Sequence, residues 1–177
     1  MVTRRRILIT GCSGGGKSSL IAEMAQRGWA TVPEPGRRVI AREKARDGYG
    51  LPWRDMARFA DLCADMAEQD WRAATAQVTL FDRGLIDAGL ALSRLRPDME
   101  IDTRLQECRY EEQVYLAPPW PEIFETDADR AHSFDEAVIE YRHIADALPD
   151  MGYLPVILPK IPVAARADWL ENRLRNG

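Results

Sequence analysis

The feature that most constrains this chain is a glycine-rich loop, GCSGGGKSS, which runs from Gly11 to Ser19. It fits the pattern G-x-x-x-x-G-K-[ST] at every fixed position. A short apolar run, ILIT, precedes the loop, and a helix-like stretch, LIAEMAQRG, follows it. In this context the glycines let successive backbone N–H groups point at phosphate oxygens, next to a helix N-terminus. The loop therefore predicts a site for a nucleoside triphosphate.

Two side chains of the loop have specific expected tasks. Lys17 is expected to reach the β- and γ-phosphates of ATP, and the Ser18 hydroxyl is expected to ligate Mg²⁺. The alternative is a glycine-rich turn that matches the pattern by chance, but this does not explain the strand before it and the helix after it. The predicted nucleotide-binding residues are Gly11, Cys12, Ser13, Gly14, Gly15, Gly16, Lys17, Ser18 and Ser19.

Length and charge limit the remaining possibilities. The chain has 177 residues, 46% of them hydrophobic, which suits one domain with a substantial core and hardly two. A net charge of −4 disfavours a broad nucleic-acid-binding surface. Three scattered cysteines are typical of a reducing compartment, and no apolar run approaches the ~20 residues that span a membrane. We expect one cytoplasmic domain over residues 1–177.

The alternation of apolar runs with helical patterns predicts an α/β fold. Five runs read as strands, beginning near Arg5, Trp29, Gln77, Gln113 and Tyr153. Helices are predicted over 17–28, 37–47, 53–75 and 162–175. Right-handed crossovers then give a three-layer P-loop NTPase fold with a five-stranded parallel sheet. Ligands in such sheets bind at the carboxyl ends of the strands, so we expect the chemistry there.

The third strand ends in an acidic residue. Asp82 follows the run VTLF, where its carboxylate is expected to face the glycine loop and hold Mg²⁺ directly or through water. The alternative is that Asp82 caps the following turn. Asp87, five residues later, is a candidate for binding an acceptor hydroxyl, or else an acidic residue favoured in the first turn of a helix.

The segment VPEPGRR at the end of the second strand points to an acceptor site. Glu34 lies between two prolines, which fix the local backbone. A carboxylate there is suited to act as general base on a hydroxyl in line with the γ-phosphate. Arg37 and Arg38 are then candidate acceptor contacts. The alternative is that Glu34 stabilises the following helix N-terminus and that the arginines are solvated.

Four segments together, GCSGGGKSS, VPEPGRR, FDRGLID and VYLAPPWPEIFETDADR, resemble the AAA_28-type family of small P-loop ATPases or kinases. That family is similar in turn to deoxynucleoside and ribosylnicotinamide kinases. The resemblance covers nearly the whole chain. It implies that Glu34 is the general base and that Asp82 and Arg83 contribute to metal and substrate binding. It also implies that Arg130 belongs to a mobile lid and meets the transferring phosphate.

The lid interpretation also has support from the residues themselves. The stretch from Pro118 is rich in proline and acidic residues, and Ser133 with Glu136 has the form of a helix capping box. A mobile segment over about 119–133 is expected to exclude water when it closes, with Arg130 stabilising the charge on the γ-phosphoryl group. The alternative is a solvated loop. Trp120 either lines the acceptor pocket or packs the loop.

The last loop, PKIPVAAR, follows the fifth strand. In the kinases that the chain resembles, the corresponding loop packs the adenine through backbone contacts. The resemblance therefore makes Lys160, Ile161 and Pro162 candidates for nucleotide binding. The alternative is a simple strand-to-helix turn.

Three classes of P-loop protein differ in the features that their sequences carry. A signalling GTPase carries N-K-x-D after a later strand, and this sequence has none. A motor or oligomeric ATPase usually needs more chain. The sequence therefore predicts a kinase that transfers the γ-phosphate of Mg·ATP to a small hydroxyl-bearing acceptor, nucleoside-like or otherwise. The alternatives are an NTPase that acts as a nucleotide-dependent binding module or switch, and, less favoured, an ATPase subunit in nucleic-acid repair or transport.

Overall fold

The computed structural model describes residues 4–96, 102–125 and 133–176. Five strands form one parallel sheet in the order β2-β3-β1-β4-β5. The strands are β1 (Arg5–Gly11), β2 (Ala30–Val32), β3 (Val78–Asp82), β4 (Gln113–Ala117) and β5 (Leu154–Ile157). The three-layer α/β architecture predicted from the sequence is confirmed.

Helices cover both faces of this sheet. They are α1 (Lys17–Gln26), α2 (Pro35–Ala45), α3 (Met56–Ala73), α4 (Leu85–Leu95), α5 (Asp102–Glu107), α6 (Phe134–Asp150) and α7 (Val163–Asn176), with a short 3₁₀ turn at Pro121–Ile123. One apolar core contains buried residues of α3, α4 and α6, and a second contains buried residues of α1 and α7. Each core lies between the sheet and one helical layer, as expected for two-sided burial.

The register of the sheet gathers the strand ends that carry chemistry. Ile9 of β1 lies opposite Asp82 of β3, and Gly11 lies opposite Ala117 of β4. Two backbone hydrogen bonds extend this alignment past the strands: Arg83 N donates to Ile9 O (2.9 Å) and Cys12 N donates to Ala117 O (2.9 Å). The glycine loop therefore starts directly beside the end of β3.

Two of the differences from the sequence predictions have a clear physical cause. Helix α2 begins at Pro35, two residues before the predicted start, because proline is favoured in the first turn, where a backbone N–H is not needed. Helix α5, which has six residues, was not predicted, since so short a segment shows no clear apolar period. In the part of the chain that the structure describes, no helix is both long and apolar enough to cross a membrane.

Candidate active site

The glycine loop is built into the edge of the sheet. Gly11 has φ +107°, and a Cβ at this position would lie 2.5 Å from the carbonyl oxygen of Ala117. Gly14 and Gly16 also have positive φ, at +73° and +79°, a conformation that non-glycine residues seldom adopt. The loop thus keeps its shape because glycine occupies these positions, and it leads directly into the N-terminus of α1.

Lys17 folds into the loop that it ends. Its side chain is buried, and Nζ donates to the carbonyl oxygens of Cys12 (2.7 Å) and Gly11 (3.4 Å). Burial lowers the pKa of Lys17, and the neighbouring Arg83 acts in the same direction, whereas Asp82 opposes both. The ammonium group therefore lies inside the cradle of backbone groups, where a phosphate would replace the loop carbonyls as its partner.

Ser18 and Asp82 form an oxygen pair beside this lysine. The Ser18 hydroxyl donates to Asp82 Oδ2 at 2.7 Å, whereas Asp82 Oδ1 is buried and has no hydrogen-bond partner among the described residues. Burial raises the pKa of Asp82, and Lys17 opposes this shift. The pair fits Mg²⁺, which prefers oxygen ligands and is commonly held by one or two protein oxygens together with phosphates and water. The described residues contain no cluster of three or more His, Cys, Asp or Glu side chains that could hold a metal ion.

One cavity of about 390 Å³ opens on the β2 side of the loop. Ser13 of the glycine loop lines it, together with polar groups of Glu34, Arg83 and Asp87. Its apolar wall consists of Ile40, Pro52, Met56, Phe59, Ala60, Cys63, Ala88, Ala91 and Ile139. Burial raises the pKa of the Cys63 thiol to about 12, so this wall stays uncharged. An apolar cavity of this size with a few convergent polar groups is typical of a small-molecule site.

Arg83 organises the polar end of this cavity. Its guanidinium contacts Asp87 (2.9 Å), Glu140 of α6 (3.1 Å) and Glu34 (3.6 Å), and it donates to the Gly11 carbonyl at 3.2 Å. Burial alone would lower the pKa of Arg83, but the carboxylates of Glu140, Asp87 and Glu34 raise it well above its usual value. The cation therefore fixes the position of three carboxylates next to the glycine loop.

Asp87 is fully engaged within the protein. It accepts hydrogen bonds from Arg83, from the Thr10 hydroxyl, and from the backbone N–H of Gly84 at the start of α4 (3.0 Å). These contacts match the second interpretation of Asp87, an acidic residue in the first turn of a helix, although Asp87 also lines the cavity. Its main observed contacts hold Arg83 and the N-terminus of α4 in place.

A second cavity, of about 630 Å³, lies on the other side of the loop over the start of α1. It is lined by Gly14, Gly16, Lys17, Ser18, Ser19, Arg37, Trp120, Glu122, Ile123, Glu125, Ile161, Pro162, Val163 and Arg166. Arg37 lines both cavities, and its Nε lies 3.6 Å from Glu34 Oε2. The two cavities therefore adjoin across the glycine loop and the start of α2.

A comparison with known protein families shows which family this chain belongs to. The model of the AAA_28 family, described as an AAA domain, matches residues 6–166. The chain belongs to the AAA_28 family. The family resemblance noted in the sequence is thereby confirmed.

Solved structures similar to this AAA_28 protein include three of deoxyadenosine kinase from M. mycoides. The structure with products dCMP and a flexible dCDP gives a TM-score of 0.70, the dCTP complex 0.66 and the dATP complex 0.65. Each is 12% identical to this chain and covers 97% of it and 100% of the kinase chain. At this identity the likeness establishes a shared fold. No curated protein matches the chain.

Two residues predicted for the site lie elsewhere in this AAA_28 protein. Arg38 donates from Nη1 and Nη2 to the carboxylate of Asp70 on α3, at 2.5 and 3.2 Å, and lines neither cavity. Adjacent helical residues point about 100° apart, so only Arg37 faces the cavities. Lys160 is exposed and also lines neither cavity, whereas the next residues, Ile161 and Pro162, do line the second one. Arg130 lies outside the described residues, as does the stretch 126–132 of the expected lid segment.

Three residues at the site are placed differently from expectation or were missed. Trp120 lines the second cavity rather than the acceptor side. Glu140 reaches Arg83 from α6, and Arg166 reaches the glycine loop from α7. No local motif marks either residue, because each lies within an ordinary amphipathic helix and meets the site only through tertiary packing.

Proposed function

We propose that this protein is a cytoplasmic Mg²⁺-dependent kinase that transfers the γ-phosphate of ATP to a hydroxyl group of a small, nucleoside-like acceptor. The observation that carries this proposal is the pair of adjoining cavities on either side of one phosphate-binding loop. Lys17 and Ser18 line one cavity, Ser13 and Glu34 line the other, and Arg37 lines both. A protein that only hydrolyses ATP does not need a second, apolar cavity beside the phosphates.

On the donor side, the loop residues bind and orient the triphosphate. Backbone N–H groups of the loop and the Lys17 ammonium neutralise the phosphate charge, and Ser18 and Asp82 hold Mg²⁺. When bound, Mg²⁺ supplies further neutralisation of charge on the phosphate oxygens. The lack of an N-K-x-D segment in the sequence supports ATP rather than GTP as donor.

On the acceptor side, Glu34 is the proposed general base. As the acceptor oxygen forms its bond to the γ-phosphorus, the bond from that phosphorus to the bridging oxygen breaks, and ADP leaves. The hydroxyl proton passes to the Glu34 carboxylate, which Arg83 and Arg37 hold from two sides at 3.6 Å each. These two contacts fix the position of the Glu34 carboxylate at the edge of the acceptor cavity, as a general base requires. We also propose that Arg130 contributes charge stabilisation during transfer.

The acceptor class is proposed from the cavity and from the similar structures. The wall of the first cavity is apolar and carries Phe59, which suits a flat ring, while Glu34 and Arg83 suit hydroxyl groups. The M. mycoides kinases, which share the fold, are named as deoxyadenosine kinases with bound dATP, dCTP, or dCMP and dCDP. A nucleoside-like molecule is the acceptor that fits both observations.

The test is an acceptor screen with two variants. ADP release from Mg·ATP is measured first without an acceptor and then with a library of nucleosides, nucleotides and vitamins. We expect release that depends on one acceptor, lost in Lys17→Ala and reduced about 100-fold or more in Glu34→Gln, with ATP binding retained in the latter. Acceptor-independent release, equal in Glu34→Gln and the unmodified protein, would instead indicate an NTPase switch.

A further inference from the structure

Arg166 is a buried arginine that contacts the glycine loop from the first turn of α7. Its side chain is only 2% exposed. Nη1 donates to the Gly15 carbonyl at 3.0 Å, and Nε donates to the Pro159 carbonyl at 2.9 Å. A Cβ at Gly16 would lie 3.1 Å from Nη1. The guanidinium therefore lies directly against the backbone that is expected to wrap the phosphates.

The charge of Arg166 is not neutralised within the described part of the chain. No carboxylate there forms an ion pair with it, and Nη2 is buried without a hydrogen-bond partner. Burial lowers the pKa of Arg166, and no anionic group among the described residues counters this shift. Buried arginines are normally paired, because an isolated buried charge is costly. Arg83, whose side chain is 12% exposed, has three carboxylate neighbours and shows the usual arrangement.

The position of this unpaired cation points to a ligand. Arg166 lines the donor cavity together with Lys17, Ser18 and Ser19. The ring of Trp120 lies over the guanidinium, 4.8 Å from its central carbon, and lines the same cavity. The ring covers one face of the cation, and because Nη2 is buried, an anion can reach it only if a neighbouring side chain such as Trp120 shifts. Glu122 and Glu125 on the cavity rim are exposed, and water screens their charge.

We propose that Arg166 is a nucleotide-binding residue whose guanidinium binds a phosphate oxygen of the donor, with Trp120 as its aromatic cover. This inference rests on the proposed donor site. The guanidinium holds the loop through Gly15 and offers Nη2 to the anion, so that the bound nucleotide supplies the charge partner that the described protein lacks. A charge-assisted hydrogen bond of this kind is stronger than a neutral one.

The experiment measures binding of ATP and of inorganic tripolyphosphate by calorimetry. Tripolyphosphate carries the anion without the base, and adenosine carries the base without the anion. The variants are Arg166→Met, Arg166→Gln, which keeps one donor for Gly15, and Arg166→Lys, which keeps the charge. Arg173→Met is the matched control, because Arg173 lies two turns further along α7, stacks on Trp169 at 4.6 Å and lines neither cavity.

We expect Arg166→Met and Arg166→Gln to weaken both ATP and tripolyphosphate about tenfold or more. Arg166→Lys should recover part of that loss, and Arg173→Met should bind like the unmodified protein. Tripolyphosphate binding within about twofold of normal in both neutral variants would overturn the inference, as would equal weakening of adenosine. If the unmodified protein binds neither ATP nor tripolyphosphate, the donor site itself is wrong. ATP binding that needs Lys17 but not Arg166 overturns only the inference.

Discussion

At the scale of single residues, Arg83 shows how the site maintains charged groups next to an apolar cavity. It has φ +59°, a left-handed conformation that is uncommon for a residue with a side chain. The conformation directs the guanidinium towards Glu34, Asp87 and Glu140. The contacts with these carboxylates offset the backbone strain, which is the pattern expected where function requires an unusual geometry.

Replacing Arg83 with alanine is predicted to lower the free energy of unfolding by about 3 kcal/mol, because three carboxylates would lose their shared cation in a partly buried site. Denaturant unfolding measures this. Arg72→Ala is the matched control: Arg72 contacts two carboxylates, Glu68 and Glu107, but its side chain is 52% exposed, so the loss should be clearly smaller than for Arg83→Ala. Equal losses in the two variants would mean that the Arg83 cluster does not stabilise the fold.

At the scale of elements, the glycine loop depends on the close approach of β1 and β4. Gly11 and Gly28 both have positive φ, +107° and +88°. A Cβ at Gly11 would meet the Ala117 backbone at 2.5 Å, whereas a Cβ at Gly28 would meet nothing within 4 Å. Alanine at Gly28 therefore tests the cost of the left-handed backbone alone, whereas alanine at Gly11 adds the cost of a steric clash with Ala117.

Gly28→Ala is predicted to cost about 1–2 kcal/mol, which is the usual penalty for a Cβ in a left-handed conformation. Gly11→Ala should cost at least about twice as much, because β1 and β4 must also move apart. Both values come from urea unfolding curves. A Gly11→Ala protein as stable as Gly28→Ala would show that the strand ends separate readily and that the loop is not held as described.

The start of α6 is stabilised by a capping box that the sequence predicted and the structure confirms. Glu136 N donates to Ser133 Oγ at 3.2 Å, and Ser133 N donates to Glu136 Oε2 at 2.7 Å. Ser133→Ala should lower the free energy of unfolding by about 1 kcal/mol. Ser93→Ala is the control, since the Ser93 hydroxyl donates to Gly89 O within the same helix, α4, and its loss should change stability by less than about 0.5 kcal/mol. A smaller loss in Ser133→Ala than in Ser93→Ala would contradict the capping role.

At the scale of the whole molecule, the sequence predicted those features of the fold that depend on residues close together along the chain. The glycine loop, the five strands and the boundaries of α1 and α7 follow from glycine spacing and from apolar periodicity, both of which are local. The pairing of Ser18 with Asp82 also followed, because strand ends meet at one edge of a parallel sheet. The contact of Arg38 with Asp70 did not follow from the sequence, since that carboxylate lies 32 residues away on α3.

The tertiary contacts of the site could not be predicted from local sequence patterns. Glu140 lies 57 residues from Arg83, and Arg166 lies 151 residues from Gly15. Neither helix carries a motif that marks the residue, and only the packing of α6 and α7 against the sheet brings them to the loop. The donor half of the site was thus largely predictable, whereas the groups that fix the two cavities depend on the assembled fold.

In the proposed reaction, the γ-phosphate passes to a small acceptor held in the cavity beside Glu34 rather than to water. Phosphorus NMR of a reaction with Mg·ATP and the acceptor found by screening follows the γ-phosphate directly. The proposed transfer predicts one phosphomonoester formed for each ADP, with little inorganic phosphate. One inorganic phosphate for each ADP, with the acceptor unchanged, would contradict it.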